Sequence, residues 1–149
     1  MSNGAQSSQF QLDRARTPMK KSGSPSFRQW MNFADKELAR SLDTADTATL
    51  DALEFGVISM TLDGNVDRYN SFESHAAGLS PGRVLGKHFF TEVAPCTNNY
   101  LVASRFEECA GLDEQLPYVF TLRMRPRPVE LRLLKTPGAD RQYVLVRAR

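Results

Sequence analysis

The strongest constraint on the fold is a hairpin signal, Leu-Asp-Gly-Asn at Leu62 to Asn65, which lies between two short apolar runs. Asp, Gly and Asn tolerate the positive φ angles that tight hairpin turns require. The sequence therefore predicts two neighbouring antiparallel strands, Phe55 to Thr61 and Val66 to Tyr69. A fold for this chain has to contain an antiparallel sheet that begins with this pair.

Three further strands are predicted in the C-terminal third, where apolar and polar residues alternate between turn signals at Pro126 and at Pro137-Gly138. These strands run from Tyr118 to Met124, from Val129 to Leu134 and from Gln142 to Arg147. Small residues and turn signals between Asn70 and Leu85 indicate short helical turns and loops rather than regular strands.

Helical spacing of apolar residues predicts three helices, over Ser26 to Leu42, Thr47 to Glu54 and Tyr100 to Ala110, the last being the longest helix of the core. The first of them is amphipathic, and its apolar face can bind a partner or a membrane surface, but we favour packing against the same domain. Together with the strands, these helices give the α+β layout of a PAS fold, a five-stranded antiparallel sheet with helices on one face and an N-terminal helical cap.

The chain divides into three predicted parts. Residues 1–25 are rich in Ser, Gln, Gly and basic residues, with too few large apolar groups to offset chain entropy, and we predict a disordered basic tail. A helical cap is expected over residues 26–46 and one globular domain over residues 47–149. The 149 residues are 41% hydrophobic and 24% charged, as in one soluble domain. With no signal-peptide pattern and no disulfide framework in its two cysteines, the chain is expected to be cytoplasmic.

The formal net charge is +2, and basic residues concentrate at both ends of the chain. Clustered Lys and Arg residues favour binding of nucleic acid. However, Arg123, Arg125 and the later arginines alternate with apolar residues, as on the solvent face of a half-buried sheet, and no nucleic-acid motif accompanies them. We therefore expect neither a nucleic-acid nor a membrane partner.

The stretch from Tyr69 to Thr97 holds the residues with the most distinctive chemistry. Pro95 fixes its own φ angle and restricts Ala94, and an apolar Phe-Phe pair precedes it, so Cys96 is predicted to face an interior pocket. Taken alone, a free cysteine is more often a small core residue. We assign that packing role to Cys109, which has no comparable surroundings.

Tyr69 and Glu73 are four residues apart, so one helical turn beginning at Tyr69 would place a phenol and a carboxyl on one face. Glutamate is usually solvated. If Glu73 instead points into a pocket, burial raises its pKa and keeps it protonated near neutral pH. Two neutral donors can then stabilise a buried phenolate.

His75 and His88 raise the alternatives of a metal site or a Cys-His catalytic pair. Two histidines and one cysteine lack the carboxylate-rich spacing of a metal site. We expect both histidines to be surface or loop residues, and we predict no metal ion.

Together these residues resemble the photoactive yellow protein family, blue-light receptors in which a cysteine carries p-coumaric acid (4-hydroxycinnamic acid) as a thioester. The resemblance runs from about Leu50 to the C-terminus, with the order and spacing of the matching residues kept apart from a few positions near Asp113 to Gln115. The matching pieces are Phe55-Gly56, Asp63 to Asn65, Tyr69-Asn70, Glu73, Gly86-Lys87, Phe89-Phe90, Val93 to Thr97, Tyr118, Phe120, Met124, Pro126 and Val129.

The resemblance implies a photoreceptor rather than an enzyme, with the pigment attached to Cys96 and its phenolate hydrogen-bonded by Tyr69 and Glu73. It implies that light drives a trans-to-cis isomerisation, after which Glu73 gives up its proton and becomes a buried, unpaired carboxylate. Relief of that charge would be the signal to an unidentified downstream protein. We expect a monomer or a weak dimer. The implied pocket lining is Ala77, Leu79, Phe89, Val93, Pro95, Phe120 and Met124.

Two positions depart from the family pattern. Ala77 stands where the family has a threonine that supports the tyrosine, and Leu79 where it has an arginine that covers the pigment ring. These departures concern the colour, the pigment pKa and the recovery rate. Two other functions remain open at this point: a PAS interaction module without pigment or with another ligand, and a cysteine enzyme or thiol sensor, which would need an activated thiolate.

Overall fold

A computed structural model of the chain describes residues 31–121 and 125–149. Residues Phe33–Arg149 form one compact unit, and of the preceding unit, Met1–Asn32, only the last two residues are described. The predicted tail over residues 1–25, the first five residues of the predicted cap and Met124 therefore lie outside the described residues.

Five strands of the described chain form one antiparallel sheet with the order β2-β1-β5-β4-β3. Their bounds are β1 Gly56–Thr61, β2 Val66–Tyr69, β3 Leu112–Phe120, β4 Arg127–Lys135 and β5 Arg141–Ala148. The predicted hairpin is confirmed, since β1 pairs with β2. Gly64 in its turn has a φ angle of 94°, in the left-handed region that glycine adopts readily.

The helices of the described ranges are all short. They are α1 Leu38–Thr44, α2 Thr47–Asp51, α3 Ser71–Ala77, α4 Pro81–Val84 and α5 Ala103–Glu108. A π-helical turn, Phe89–Val93, and a 3-10 turn, Pro95–Thr97, lie between α4 and α5. No helix of the described residues is long and apolar enough to cross a membrane.

One face of the sheet carries the main apolar cluster. Its sheet residues alternate along the strands, as the two-residue period of a strand requires. Side chains from the helical segments after β2 complete it. Members of the cluster include Ile58, Met60, Tyr69, Phe89, Phe90, Phe106, Phe120, Val129, Leu131, Leu133, Val144 and Val146.

The opposite face of the sheet is covered by the segment from Phe33 to Ala45. Arg132 alternates with the core residues of β4, and it donates to the carbonyl oxygens of Phe33 (2.8 Å) and Asp35 (2.7 Å). Arg68 likewise donates to the carbonyl oxygens of Leu42 and Ala45, both at 2.9 Å. The main chain of the cap segment is therefore attached to the sheet, and its buried side chains Phe33, Leu38 and Leu42 add apolar packing.

The structure corrects three element bounds. The cap residues 31–37 form turns and bends, and the helix begins only at Leu38. The helix predicted over Tyr100 to Ala110 is limited to Ala103–Glu108, six residues, and is shorter than α1 or α3. The strand predicted to start at Tyr118 begins at Leu112, because β3 is an edge strand whose polar residues are tolerated at the solvent-exposed edge.

Candidate functional site

Asn70 fixes the geometry of the site. It is 2% exposed, and its Oδ1 accepts hydrogen bonds from the backbone N–H groups of Val57 (2.9 Å) and Glu73 (3.2 Å). Its Nδ2 donates to the carbonyl oxygens of Leu50 (2.8 Å) and Phe55 (3.0 Å). One side chain thus caps α3 and ties it to β1 and to the end of α2.

Tyr69 and Glu73 do not share a helical turn, and that prediction was wrong. Tyr69 is the last residue of β2, Asn70 is the N-cap, and Glu73 lies in the first turn of α3. The two side chains are nevertheless close enough to interact: burial raises the pKa of Tyr69 above its usual value, and the negative charge of Glu73 raises it further. The strand end and the helix start bring the phenol and the carboxyl into one buried region.

Both side chains present an unused polar atom to this region. Tyr69 Oη and Glu73 Oε1 are buried and have no hydrogen-bond partner among the described residues. Leaving a buried polar group without a partner costs about 1–3 kcal/mol. Gly56 makes room for the carboxyl, because a Cβ atom there would lie 2.3 Å from Glu73 Oε1. The arrangement favours a ligand atom that accepts hydrogen bonds from the phenol and the protonated carboxyl.

The second oxygen of Glu73 is paired with Arg127, which the sequence analysis did not single out. Arg127 Nη2 donates to Glu73 Oε2 at 2.8 Å, and the arginine side chain is 25% exposed. Arg127 opens β4 opposite Phe120, whose ring centroid lies 5.5 Å from the guanidinium carbon. The prediction that the later arginines face solvent was wrong for Arg127. It was also wrong for Arg132, which is 2% exposed.

Burial and Arg127 have opposite effects on the pKa of Glu73. Burial raises the pKa of Glu73 to about 7, although the charge of Arg127 and its hydrogen bond lower it. Burial is the larger cause because the carboxyl is fully enclosed. Glu73 is therefore able to hold a proton close to neutral pH.

The raised pKa of Glu73 predicts a pH dependence of stability in the pigment-free protein. The folded state binds the proton more tightly than the unfolded chain, so the stabilisation is fully present below about pH 4.5 and is lost as the pH rises to about 7. At 1.36 kcal/mol per pKa unit, the loss is about 3 kcal/mol. Urea unfolding across this range should show the loss in wild type, and Glu73→Gln should remove this contribution. If the free energy of unfolding changed equally with pH in the two proteins, this prediction would be contradicted.

Cys96 lies in the 3-10 turn Pro95–Thr97, and its side chain is half-buried against the apolar cluster that contains Tyr69 and Phe120. Its carbonyl oxygen accepts hydrogen bonds from Tyr118 Oη (2.6 Å) and Asn99 Nδ2 (3.2 Å). Asn99 Nδ2 also donates to Tyr118 Oη at 2.7 Å. The turn that carries the thiol is therefore fixed to β3.

The predicted lining residues occupy different environments. Phe89 and Phe120 are each 1% exposed in the cluster, and Leu79 and Val93 are half-buried against it. Pro95 is exposed. Ala77 and Phe120 line a cleft of about 470 Å³ next to the ion pair of Glu73, and neither Cys96 nor Tyr69 belongs to the lining of that cleft. The full lining is His75, Ala76, Ala77, Gly78, Phe120, Arg125, Pro126 and Arg127.

The two histidines lie in different parts of the structure. His75 is exposed on α3, where its Nδ1 lies 3.0 Å from the carbonyl oxygen of Ser71. His88 is half-buried beside the hairpin turn, with Gly64 against its ring. Within residues 31–121 and 125–149, no group of three His, Cys, Asp or Glu side chains is placed to hold a metal ion.

The chain is similar to proteins named photoactive yellow protein. It is 32% identical over 120 residues to the photoactive yellow protein of Halochromatium salexigens, covering 78% of this chain and 96% of that protein. It is 29% identical over 122 residues to that of Rhodothalassium salexigens, with 80% and 98% covered. No family model matches the chain.

Solved structures show the same fold. The photoactive yellow protein domain of the sensor histidine kinase Ppr from Rhodospirillum centenum superposes with a TM-score of 0.67 at 39% identity, over 72% of this chain and 97% of that domain. The PAS domain of an HTR-like protein from Haloarcula marismortui has a TM-score of 0.56 at 19% identity, over 76% and 99%, and shows the fold alone. The predicted α+β PAS fold is confirmed.

Proposed function

Because this chain belongs to the photoactive yellow protein family, we propose that it is a blue-light receptor that binds p-coumaric acid as a thioester on Cys96. The chain is a photosensory PAS domain rather than an enzyme. The observation that carries the proposal is the pair of buried atoms, Tyr69 Oη and Glu73 Oε1, which have no partner among the described residues. A bound phenolate oxygen would accept a hydrogen bond from each of these two groups.

The surroundings of these atoms fit the rest of the pigment. The apolar cluster that includes Tyr69 and Phe120 suits an aromatic ring, and Cys96 packs against that cluster. Pro95 and the two hydrogen bonds to the Cys96 carbonyl hold the thiol in a fixed turn. A thiol, an apolar cluster and two buried atoms without a partner are the groups that a thioester-linked phenolic pigment requires.

The protein would hold and move one proton. When bound, the pigment supplies absorption of blue light and the trans-to-cis isomerisation. Glu73 holds its proton near neutral pH because burial raises its pKa to about 7, and it can release that proton from Oε1. Tyr69 stays a neutral donor, because burial raises its pKa further above the physiological range. The output we propose is a conformational change that an unidentified downstream signalling protein detects.

Reconstitution tests this function. Purified protein incubated with an activated p-coumaroyl donor should become yellow, and blue light should bleach the band reversibly. Free p-coumaric acid without activation serves as the control, because it cannot acylate the thiol. A colourless product after treatment with the activated donor would overturn the proposal and leave a PAS interaction module, with another ligand or none.

We propose a cytoplasmic monomer or weak dimer without a nucleic-acid or membrane partner. The likeness to a domain of a sensor histidine kinase supports a signalling role, since that relative is one part of a signalling protein.

A further inference from the structure

We propose that Arg127 is the counter-ion of this site, remaining paired with Glu73 after the carboxyl has lost its proton. The inference rests on the proposed function for the light-driven step and on the geometry alone for the Arg127–Glu73 pair. It gives the buried negative charge a partner, whereas the family resemblance implies an unpaired carboxylate.

The geometry of the pair supports this role. Arg127 Nη2 reaches Glu73 Oε2 at 2.8 Å, which leaves Oε1 to carry the exchangeable proton. The guanidinium lies over the Phe120 ring, so an aromatic face and a carboxylate hold it from two sides. A charge-assisted hydrogen bond of this length is stronger than a neutral one.

The other charged groups around Glu73 do not replace Arg127. Tyr69, from β2, is uncharged over the physiological range. Arg125 is exposed and lines the neighbouring cleft. His75, on the same helix, is exposed, and Asp51 of α2 accepts a hydrogen bond from the backbone N–H of Ser71. From β1, the neighbour of the carboxyl is Gly56, which has no side chain.

The total charge of the site shows the effect of Arg127. With the pigment bound, the site would hold a phenolate, a neutral Glu73 carboxyl and the Arg127 guanidinium, with a total charge of zero. If Glu73 gave its proton to the phenolate oxygen, the negative charge would lie on the Glu73 carboxylate beside the same guanidinium, and the total would again be zero. A buried carboxylate beside a guanidinium is far less costly than an unpaired one.

Two consequences follow for this chain. The driving force for the light-induced structural change is smaller than it would be with an unpaired carboxylate. In addition, Arg127 supplies from β4 a positive charge near the site, although Leu79 stands where the family pattern has an arginine.

The first test uses pigment-free protein and does not depend on light. Titration of the Glu73 carboxyl by carbon-13 NMR should show a midpoint about one pH unit or more higher in Arg127→Gln than in wild type, and near the wild-type midpoint in Arg127→Lys. Arg125→Gln is the matched control and should leave the midpoint unchanged. An unchanged midpoint in a folded Arg127→Gln variant would overturn the proposal.

The second test uses pigment-loaded protein. In light-minus-dark infrared spectra, Arg127→Gln should increase the amide I amplitude about twofold, whereas Arg127→Lys and Arg125→Gln should stay near wild type. Equal amplitudes in all four proteins would overturn the role of Arg127 in the light-driven step. If even wild type acquires no pigment, the proposed function fails, and the NMR titration still decides whether Arg127 is the counter-ion of Glu73.

Discussion

Replacing Cys96 with alanine should abolish covalent pigment attachment completely, because a thioester cannot form without that sulfur. The half-buried thiol packs against the apolar cluster, and its turn is fixed by hydrogen bonds to Tyr118 and Asn99, so the remaining structure should tolerate loss of one sulfur atom. Intact-mass spectrometry after treatment with an activated p-coumaroyl donor should show no added mass in Cys96→Ala.

Cys109→Ala is the matched control. Cys109 is also half-buried and also packs against the main cluster, so the two variants remove the same group from similar surroundings. Cys109→Ala should acquire one pigment, as wild type does. Covalent pigment on Cys96→Ala, or its loss in a folded Cys109→Ala, would refute attachment at Cys96.

Replacing Asn70 with alanine should lower the free energy of unfolding by about 3 kcal/mol or more. The change removes an N-cap, which contributes about 1 kcal/mol. It also removes the hydrogen bonds to the N–H of Val57 and to the carbonyl oxygens of Leu50 and Phe55, and each buried group left without a partner costs about 1–3 kcal/mol before the structure relaxes. Urea unfolding in the pigment-free state measures the difference.

The control for Asn70 is Asn98→Ala, at an exposed asparagine that follows the 3-10 turn. Its free energy of unfolding should stay within about 0.5 kcal/mol of wild type, as for most surface substitutions. A loss below 1 kcal/mol in Asn70→Ala would mean that water or a shifted backbone replaces the four hydrogen bonds. In that case Asn70 would not be what fixes α3 against β1.

Local patterns in the sequence were sufficient for much of the fold. The hairpin at Leu62 to Asn65 depends on turn residues that are adjacent in sequence, and the alternation in β4 and β5 reflects one buried face. The first six residues of edge strand β3 were not predicted as strand. An edge strand can form without strict alternation of apolar residues, and it can contain proline. Pro117 in β3 illustrates this.

The candidate site was predictable only in part. Family resemblance pointed to Tyr69, Glu73 and Cys96, and the structure shows the first two buried and the third packed against the same cluster as Tyr69. Arg127 could not be found from spacing, since 54 residues separate it from Glu73 and the tertiary fold brings the two side chains together. Its pattern along the chain is that of an ordinary solvent-facing arginine.

The way in which the cap segment is attached has a consequence for sequence variation. Arg132 and Arg68, both in the sheet, donate to four carbonyl oxygens of the cap main chain. Every amino acid supplies such a carbonyl, so these four contacts do not depend on which side chains the cap carries. Substitutions at the exposed positions of the cap therefore leave these four contacts intact, whereas Leu38 and Leu42, which are fully buried, remain constrained by packing.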